Sequence, residues 1–247
     1  MRLEIESLSK AYGATQALDD VSFAVDGGRV HAILGENGSG KSTLVKVLAG
    51  AIEPDSGTVR LDGALLPAYR PRVAQRLGIQ AVHQEILVAP NLSVVDNLFI
   101  GFHPPLRRVL PSRAEQDLAV SVLTELGWPN PDLRRPAGTL SLARQQVVVI
   151  ARALVRQPRV LILDEATAAL GIEERDALFR AIRRRIEAGT LVLFISHRLD
   201  EVSAICTSMT VLRSGRVVAQ FNDPVSPAQM MQAMAPEMTT AVLARTT

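Results

Sequence analysis

The sequence predicts an α/β fold, a sheet domain interrupted by a helical insertion. Three observations carry this. Short apolar runs of the buried-strand kind, at residues 30–34, 160–163 and 191–195, alternate with helix-patterned segments. The first run leads at once into a glycine-rich loop and a helix. Between about 87 and 158 the pattern turns helical throughout.

Taken in order, residues 3–8 alternate apolar and polar side chains as a strand does, and Tyr12-Gly13 marks a turn. A second strand at 21–25 ends in Gly27-Gly28. After the 30–34 strand and its glycine loop, a helix is expected over 41–49. Strands follow at 58–61, turned by Asp62-Gly63, and at 79–82. In the insertion, Ser112-Arg113-Ala114-Glu115 is a capping box with Leu118, Val122 and Leu126 on one face behind it. Ser141 can cap a second long helix reaching about residue 156. Strand and helix then alternate: strand 160–163, helix 172–188 closed by Gly189, strand 191–195, helix 200–205, and a hairpin over 211–219 turning at Ser214-Gly215. Behind Ser226-Pro227, Met230, Met231 and Met234 have helical spacing and predict a core-facing terminal helix; Met238 continues the methionine-rich stretch. Arg180 and Arg183–Arg185 follow Glu173, Glu174 and Asp176 along helix 172–188, the order that complements a helix dipole on a solvated face.

Composition narrows the class. The 247 residues carry 27 Lys and Arg against 25 Asp and Glu, a net charge of +2, too small for a non-specific nucleic-acid binder. A single cysteine, Cys206, excludes a disulfide framework and fits a reducing cytosol. The start of the sequence lacks the pattern of a signal peptide, and no apolar run approaches a membrane span. Only three of the basic residues are lysines, Lys10, Lys41 and Lys46. A mean hydropathy of +0.17 is high for a soluble chain and points to a partner surface.

Gly35-Glu36-Asn37-Gly38-Ser39-Gly40-Lys41-Ser42 matches the phosphate-loop pattern GxxxxGK[ST], placed after an apolar strand and before a helix, as the pattern requires. Glycines let successive backbone N–H groups converge on phosphate oxygens, and the helix N-terminus adds dipole charge. Gly35, Asn37, Gly38, Ser39, Gly40 and Thr43 are therefore expected around a nucleotide. Lys41 is expected at its β- and γ-phosphates and Ser42 on Mg²⁺. An arginine would serve poorly at position 41, where the loop surrounds a point charge. The apolar strand ending in Asp164-Glu165 supplies the other half. Asp164 can hold Mg²⁺ through water, and Glu165 can orient or deprotonate an attacking water.

In these residues the chain resembles an ATP-binding cassette (ABC) transporter ATPase, from residue 3 to about 219. The resemblance implies a P-loop NTPase of ABC type, with a mixed sheet core, an antiparallel β subdomain and an inserted helical subdomain. It also implies two cassettes closing head-to-tail over two ATP molecules. Leu140-Ser141-Leu142-Ala143-Arg144 stands at the LSGGQ motif, so Ser141 and Ala143 would meet the γ-phosphate held by a second cassette. Tyr12 matches the aromatic that stacks on adenine. Gln84 matches the Q-loop glutamine that touches Mg²⁺ or the attacking water and faces a permease. His197 matches the switch histidine, and residues 168–171 occupy the place of the D-loop that crosses between cassettes.

A narrower likeness lies in Val82-His83-Gln84-Glu85, Pro90-Asn91-Leu92-Ser93 and Ile195-Ser196-His197-Arg198-Leu199-Asp200-Glu201. These resemble ATPase subunits of bacterial monosaccharide importers of the ribose, xylose and galactose type. The resemblance implies a peripheral subunit at the cytoplasmic side of the membrane, transmembrane permease subunits, a substrate-binding protein outside, ATP and Mg²⁺ as ligands, and no nucleic acid. Three residues depart from the pattern: Arg144 replaces a glutamine, Ala166 a proline, and Gly171 an Asp or Thr. That branch joins two cassettes in one polypeptide, whereas this sequence carries one. A homodimer, a separately encoded partner cassette and half of a longer protein all remain open. A non-transport or regulatory cassette, or a degenerate one needing a partner for turnover, is the alternative function. The expected division is an α/β core with β subdomain at about 1–86 and 159–222, a helical subdomain at about 87–158, and a tail at 223–247.

Overall fold

The structure is a computed structural model, described here for residues 1–102 and 111–235. In chain order the elements are β1 (Arg2–Tyr12), β2 (Thr15–Asp26), β3 (Arg29–Leu34), α1 (Lys41–Leu48), β4 (Ser56–Leu61), β5 (Ala64–Leu65), α2 (Pro71–Arg76) and β6 (Ile79–Val82). The insertion contributes α3 (Val94–Leu98), α4 (Arg113–Glu125) and α5 (Leu142–Leu154). The remainder is β7 (Val160–Asp164), α6 (Ile172–Glu187), β8 (Leu191–Ile195), α7 (Leu199–Ile205), β9 (Ser208–Arg213), β10 (Arg216–Phe221) and α8 (Pro227–Met234).

The strands form two sheets. An antiparallel sheet runs β2-β1-β4-β5, and a mixed sheet runs β10-β9-β3-β8-β7-β6, parallel except at the β9–β10 hairpin. The parallel strands read as unbroken apolar runs because both of their faces are covered. Alternate residues serve different cores: Val30, Ala32, Leu34, Leu161, Leu163, Val192 and Phe194 pack with α4, α5 and α6. Their neighbours Ile33, Val160, Ile162, Leu191, Leu193 and Ile195 pack with α1 and the antiparallel sheet. The mixed sheet is thus the shared wall between two cores.

β1 and β2 are longer than the alternation predicts. Register shifts between Ile5 and Leu8, Leu8 and Lys10, and Lys10 and Ala11 interrupt the period-two pattern while pairing continues to Tyr12 and Thr15. α2 is an element beyond the sequence expectation; Pro71 occupies its first turn, where a missing N–H costs nothing. The capping box at Ser112 is present, and Ser141 caps α5 by accepting from the Arg144 N–H. The terminal helix corrects one expectation: Met230 is buried and Met234 packs on the core, but Met231 is exposed. Residues 230 and 234 share a face at i, i+4, and 231 lies off it. Met238 and the rest of the expected tail from residue 236 lie outside the described residues.

Inside the insertion, fully buried Asn97 of α3 holds the neighbouring backbone together. Its amide exchanges hydrogen bonds with the N–H and C=O of Ala89 at 2.8 and 3.0 Å, and Arg152 of α5 donates to the Asn97 carbonyl at 2.7 Å. The loop that follows β6 and carries Gln84 is held against α3 and α5 by these bonds.

Candidate functional site

Where β3, β6, β7 and β8 end, a cavity of about 750 Å³ opens between the mixed sheet and the β1–β2 hairpin. From the glycine loop and α1 it is lined by Asn37, Gly38, Gly40, Lys41, Ser42 and Thr43, and from the ends of the parallel strands by Gln84, Asp164, Glu165 and His197. Tyr12 closes the far side with Thr15, Gln16 and Ala17. Gly35 and Ser39, also expected around the nucleotide, are not among the lining residues; both instead accept from the Lys41 ammonium. Ser141 and Ala143 are not in this cavity; they lie at the N-terminus of α5.

The loop's shape needs its glycines at two points. Gly40 has φ +105°, and a Cβ there would stand 2.4 Å from the Ala17 carbonyl; Gly35 has φ +150°, with its Cβ 2.3 Å from the Leu212 carbonyl. No other residue lets the loop lie so close to β2 and β9. Within this cradle the Lys41 ammonium donates to the Gly35 and Glu36 carbonyls at 2.7 and 2.8 Å and to Ser39 Oγ at 3.3 Å. Burial pushes its pKa below the ordinary lysine value, while the Glu165 and Asp164 charges oppose that shift.

Asp164 is buried at the end of β7. Loss of solvent raises its carboxyl above the usual aspartate range and the Glu165 charge adds to this, with His83, Lys41 and Lys46 pulling the other way. No side-chain hydrogen bond among the described residues reaches this carboxylate. A buried carboxylate without a protein donor, lining the same cavity as Ser42 and Gln84, suits a hard cation held by few protein oxygens and by substrate phosphates. Among the described residues no group of three His, Cys, Asp or Glu side chains could hold a metal by itself. This donor set fits Mg²⁺ bound with phosphate, for which Ser42, Gln84 and Asp164 would be the protein side.

Glu165 follows on a tight turn with φ +50°, a left-handed conformation that a residue with a Cβ holds only where its surroundings enforce it. The enforcing contacts are its own N–H to the Ile195 carbonyl at 2.9 Å and the Ala168 N–H to its carbonyl at 3.2 Å. His197 Nδ1 stands 3.3 Å from Glu165 Oε1.

Sequence reasoning gave no role to the groups that hold these loops. Glu201, 1% exposed, accepts from Thr167 Oγ1 at 2.6 Å and from Ser196 Oγ at 3.4 Å. Arg198 Nη1 lies 2.8 Å from its other oxygen as an ion pair, with no N–H aimed along a hydrogen-bond line. One buried carboxylate therefore ties the turn after Glu165 to the turn carrying His197. Gln146, buried on α5, donates to the Ala166 carbonyl at 3.0 Å. On the far side, Lys10 pairs with Asp55 at 2.7 Å and its ammonium lies 5.9 Å from the Tyr12 ring. The proximity of Thr15 and Gln16 to Tyr12 across a two-residue turn is the only sequence signal that could have placed them here.

The chain matches the family model described as ABC transporter over residues 18–168. It is 46% identical over 221 residues to the ribose import ATP-binding protein RbsA 1 of Streptomyces coelicolor, covering 88% of this chain and 43% of that protein. It is 40% identical over 221 residues to the arabinose import ATP-binding protein AraG of Rhizobium meliloti, covering 90% of this chain and 43% of that protein. The chain thus spans less than half the length of these curated relatives. Among solved structures, an ATP-binding cassette of an ABC transporter in its ADP conformation superposes with a TM-score of 0.77 at 30% identity, covering 89% of this chain and 91% of that one.

Proposed function

We propose, from the premise that the chain belongs to the ABC transporter family, that it is an ATP-hydrolysing motor of an importer for a monosaccharide or related small polar solute. The observation that carries this reading is the convergence of Lys41, Asp164, Glu165 and His197 on one cavity floored by the glycine loop. Backbone N–H groups of the loop and the Lys41 ammonium take the ATP phosphates, and Tyr12 packs on the base. Ser42, Gln84 and Asp164 would hold Mg²⁺, which would supply neutralisation of the phosphate charge. Glu165 orients and deprotonates the attacking water, and His197 contacts the γ-phosphate from the cavity mouth. Relatives named for ribose and arabinose import support a sugar as cargo.

Ser141 and Ala143 lie outside their own chain's cavity, which supports a second cassette that presents its ATP to them. Leu142 and Ile172, the first residues of α5 and α6, are 66% and 71% exposed and would be covered by that partner. Among the described residues no helix is long and apolar enough to cross a membrane. Transmembrane permease subunits would supply the path, contacting the Gln84 region at the cytoplasmic side, with a substrate-binding protein delivering solute outside. In this reading the α/β core with its β subdomain is about 1–86 with 159–222, and the helical subdomain is about 87–158.

Steady-state ATPase measurements on the chain, alone and with membranes holding its permease, test the proposal. Magnesium-dependent turnover that Lys41→Ala abolishes is expected. Unchanged turnover in that variant, or none in the wild type under either condition, overturns it.

A further inference from the structure

Two of the residues that depart from the family pattern, Arg144 and Gly171, meet at one side chain. Glu174, in the first turn of α6, places Oε1 at 3.8 Å from Arg144 Nη2. Its other oxygen fills the space beside Gly171: a Cβ at 171 would stand 2.7 Å from Glu174 Oε2. Gly171 has φ −72° and ψ 175°, a conformation open to any residue. The carboxylate, not the backbone, therefore makes a bare position useful there.

Arg144 is held on its other sides too. Nη1 donates to the Gly127 carbonyl at 3.2 Å, and the guanidinium lies 5.1 Å from the Trp128 ring. Gly127 itself sits against α6, where a Cβ would come within 3.2 Å of Ala177 Cβ. Arg144 thus points back onto its own chain instead of outward from the Ser141 turn. The N-terminus of α5 is joined through Glu174 to the N-terminus of α6, and so to residues 168–171 just before it. Leu142 and Ile172, both largely exposed, lie two residues before each member of the pair.

We infer that Glu174 is a positioning residue. Paired with Arg144 and admitted by the missing side chain at Gly171, it couples the Ser141 turn to the 168–171 segment, so that the two move as one surface when a second cassette closes on ATP. This rests on the two-cassette reading above. The pair is partly exposed, so its worth is modest and its effect falls on closure, with the groups around Glu165 left in place.

The test is ATP hydrolysis by the intact chain across ATP concentration, with thermal melting alongside, for the wild type, Arg144→Gln, Glu174→Gln, Gly171→Ala and the Gly171→Ala/Glu174→Gln double variant. Each single variant is expected to raise the KM for ATP about two- to fivefold while kcat stays within about twofold. Gly171→Ala displaces only the far end of a flexible side chain, so it should fold normally and add nothing in the Glu174→Gln background. Wild-type KM in all three single variants, effects that multiply in the double variant, or altered melting with unaltered kinetics would overturn the inference while leaving the ATPase reading intact. A wild-type chain with no ATP turnover overturns both.

Discussion

His197 Nδ1 lies 3.3 Å from Glu165 Oε1, although 32 positions separate the two residues. Sheet register is the cause. β7 and β8 are parallel neighbours with Asp164 opposite Ile195, so the residues just beyond each strand emerge side by side. The Glu165 N–H bonds to the Ile195 carbonyl and fixes the offset. The carboxylate side chain is 21% exposed and the imidazole 71%, so the histidine is the more solvent-accessible of the pair.

Replacing Glu165 with the isosteric amide should separate binding from chemistry. Glu165→Gln keeps the shape of the site and removes the base, so turnover is expected to fall by about 10²–10⁴-fold. ATP should still bind, and size-exclusion chromatography with ATP and Mg²⁺ should show a dimer that persists because it no longer hydrolyses its ligand. Hydrolysis at the wild-type rate would remove Glu165 from this role.

His197→Ala takes away the group paired with Glu165 but leaves the phosphate cradle untouched. Turnover should drop about a hundredfold, as when a single preorganised transition-state contact is lost. Affinity for a fluorescent ATP analogue should hold, because the Lys41 ammonium and loop N–H groups are unaffected. A variant that loses binding and turnover in parallel would mean that His197 shapes the pocket instead.

The glycine loop with Lys41, and Asp164, Glu165 and His197 at the strand ends, were legible in the sequence because their chemistry is local, whereas Thr15, Gln16 and Ala17, which line the same cavity, were not. A glycine loop before a helix, and an acid or histidine at the end of an apolar strand, carry their context with them. The supports were not legible, since each depends on a distant partner. Glu201 reads as an ordinary acid in the first turn of a helix, and nothing near it announces Thr167, 34 positions earlier, as its donor. Asn97 and Arg152 likewise look like helix-surface residues until the α3–α5 contact brings them together. Bulges in β1 hid half of that strand for a related reason: pairing follows the partner strand, and the alternation read along one chain does not.

Glu201 gives those supports a measurable consequence. Glu201→Ala leaves the Thr167 and Ser196 hydroxyls without their shared acceptor, at a cost of about 1–3 kcal/mol in stability. Arg198 is 42% exposed and can rehydrate, so its charge adds little. Urea unfolding should show the loss. The turns carrying Glu165 and His197 would also lose their common tether, so kcat should fall below what the stability change alone explains when assayed far from the melting temperature. A destabilised variant with full kcat would limit Glu201 to holding the fold.

His31 predicts how stability responds to acid, independently of the site. The ring is 1% exposed, with Nδ1 at 2.8 Å from Ser208 Oγ, Nε2 at 2.9 Å from Thr210 Oγ1 and the Phe23 ring stacked 5.9 Å away. Burial, with a smaller push from Arg29, lowers its pKa from 6.5 to about 3. In the unfolded chain the imidazole titrates near its ordinary value, so below about pH 6.5 the unfolded state binds the extra proton and the folded state does not. Stability is therefore complete above that pH and falls by about 1.4 kcal/mol per pH unit below it, until the folded ring itself protonates. Between about pH 7.5 and pH 5.0 the loss from this group should reach about 2 kcal/mol. His31→Gln keeps donor and acceptor atoms for the two hydroxyls and cannot take up the proton. Urea midpoints at both pH values, compared between wild type and variant, cancel the other titrating groups. The variant should lose about 2 kcal/mol less than the wild type on acidification; equal losses would show that the buried imidazole does not govern the response.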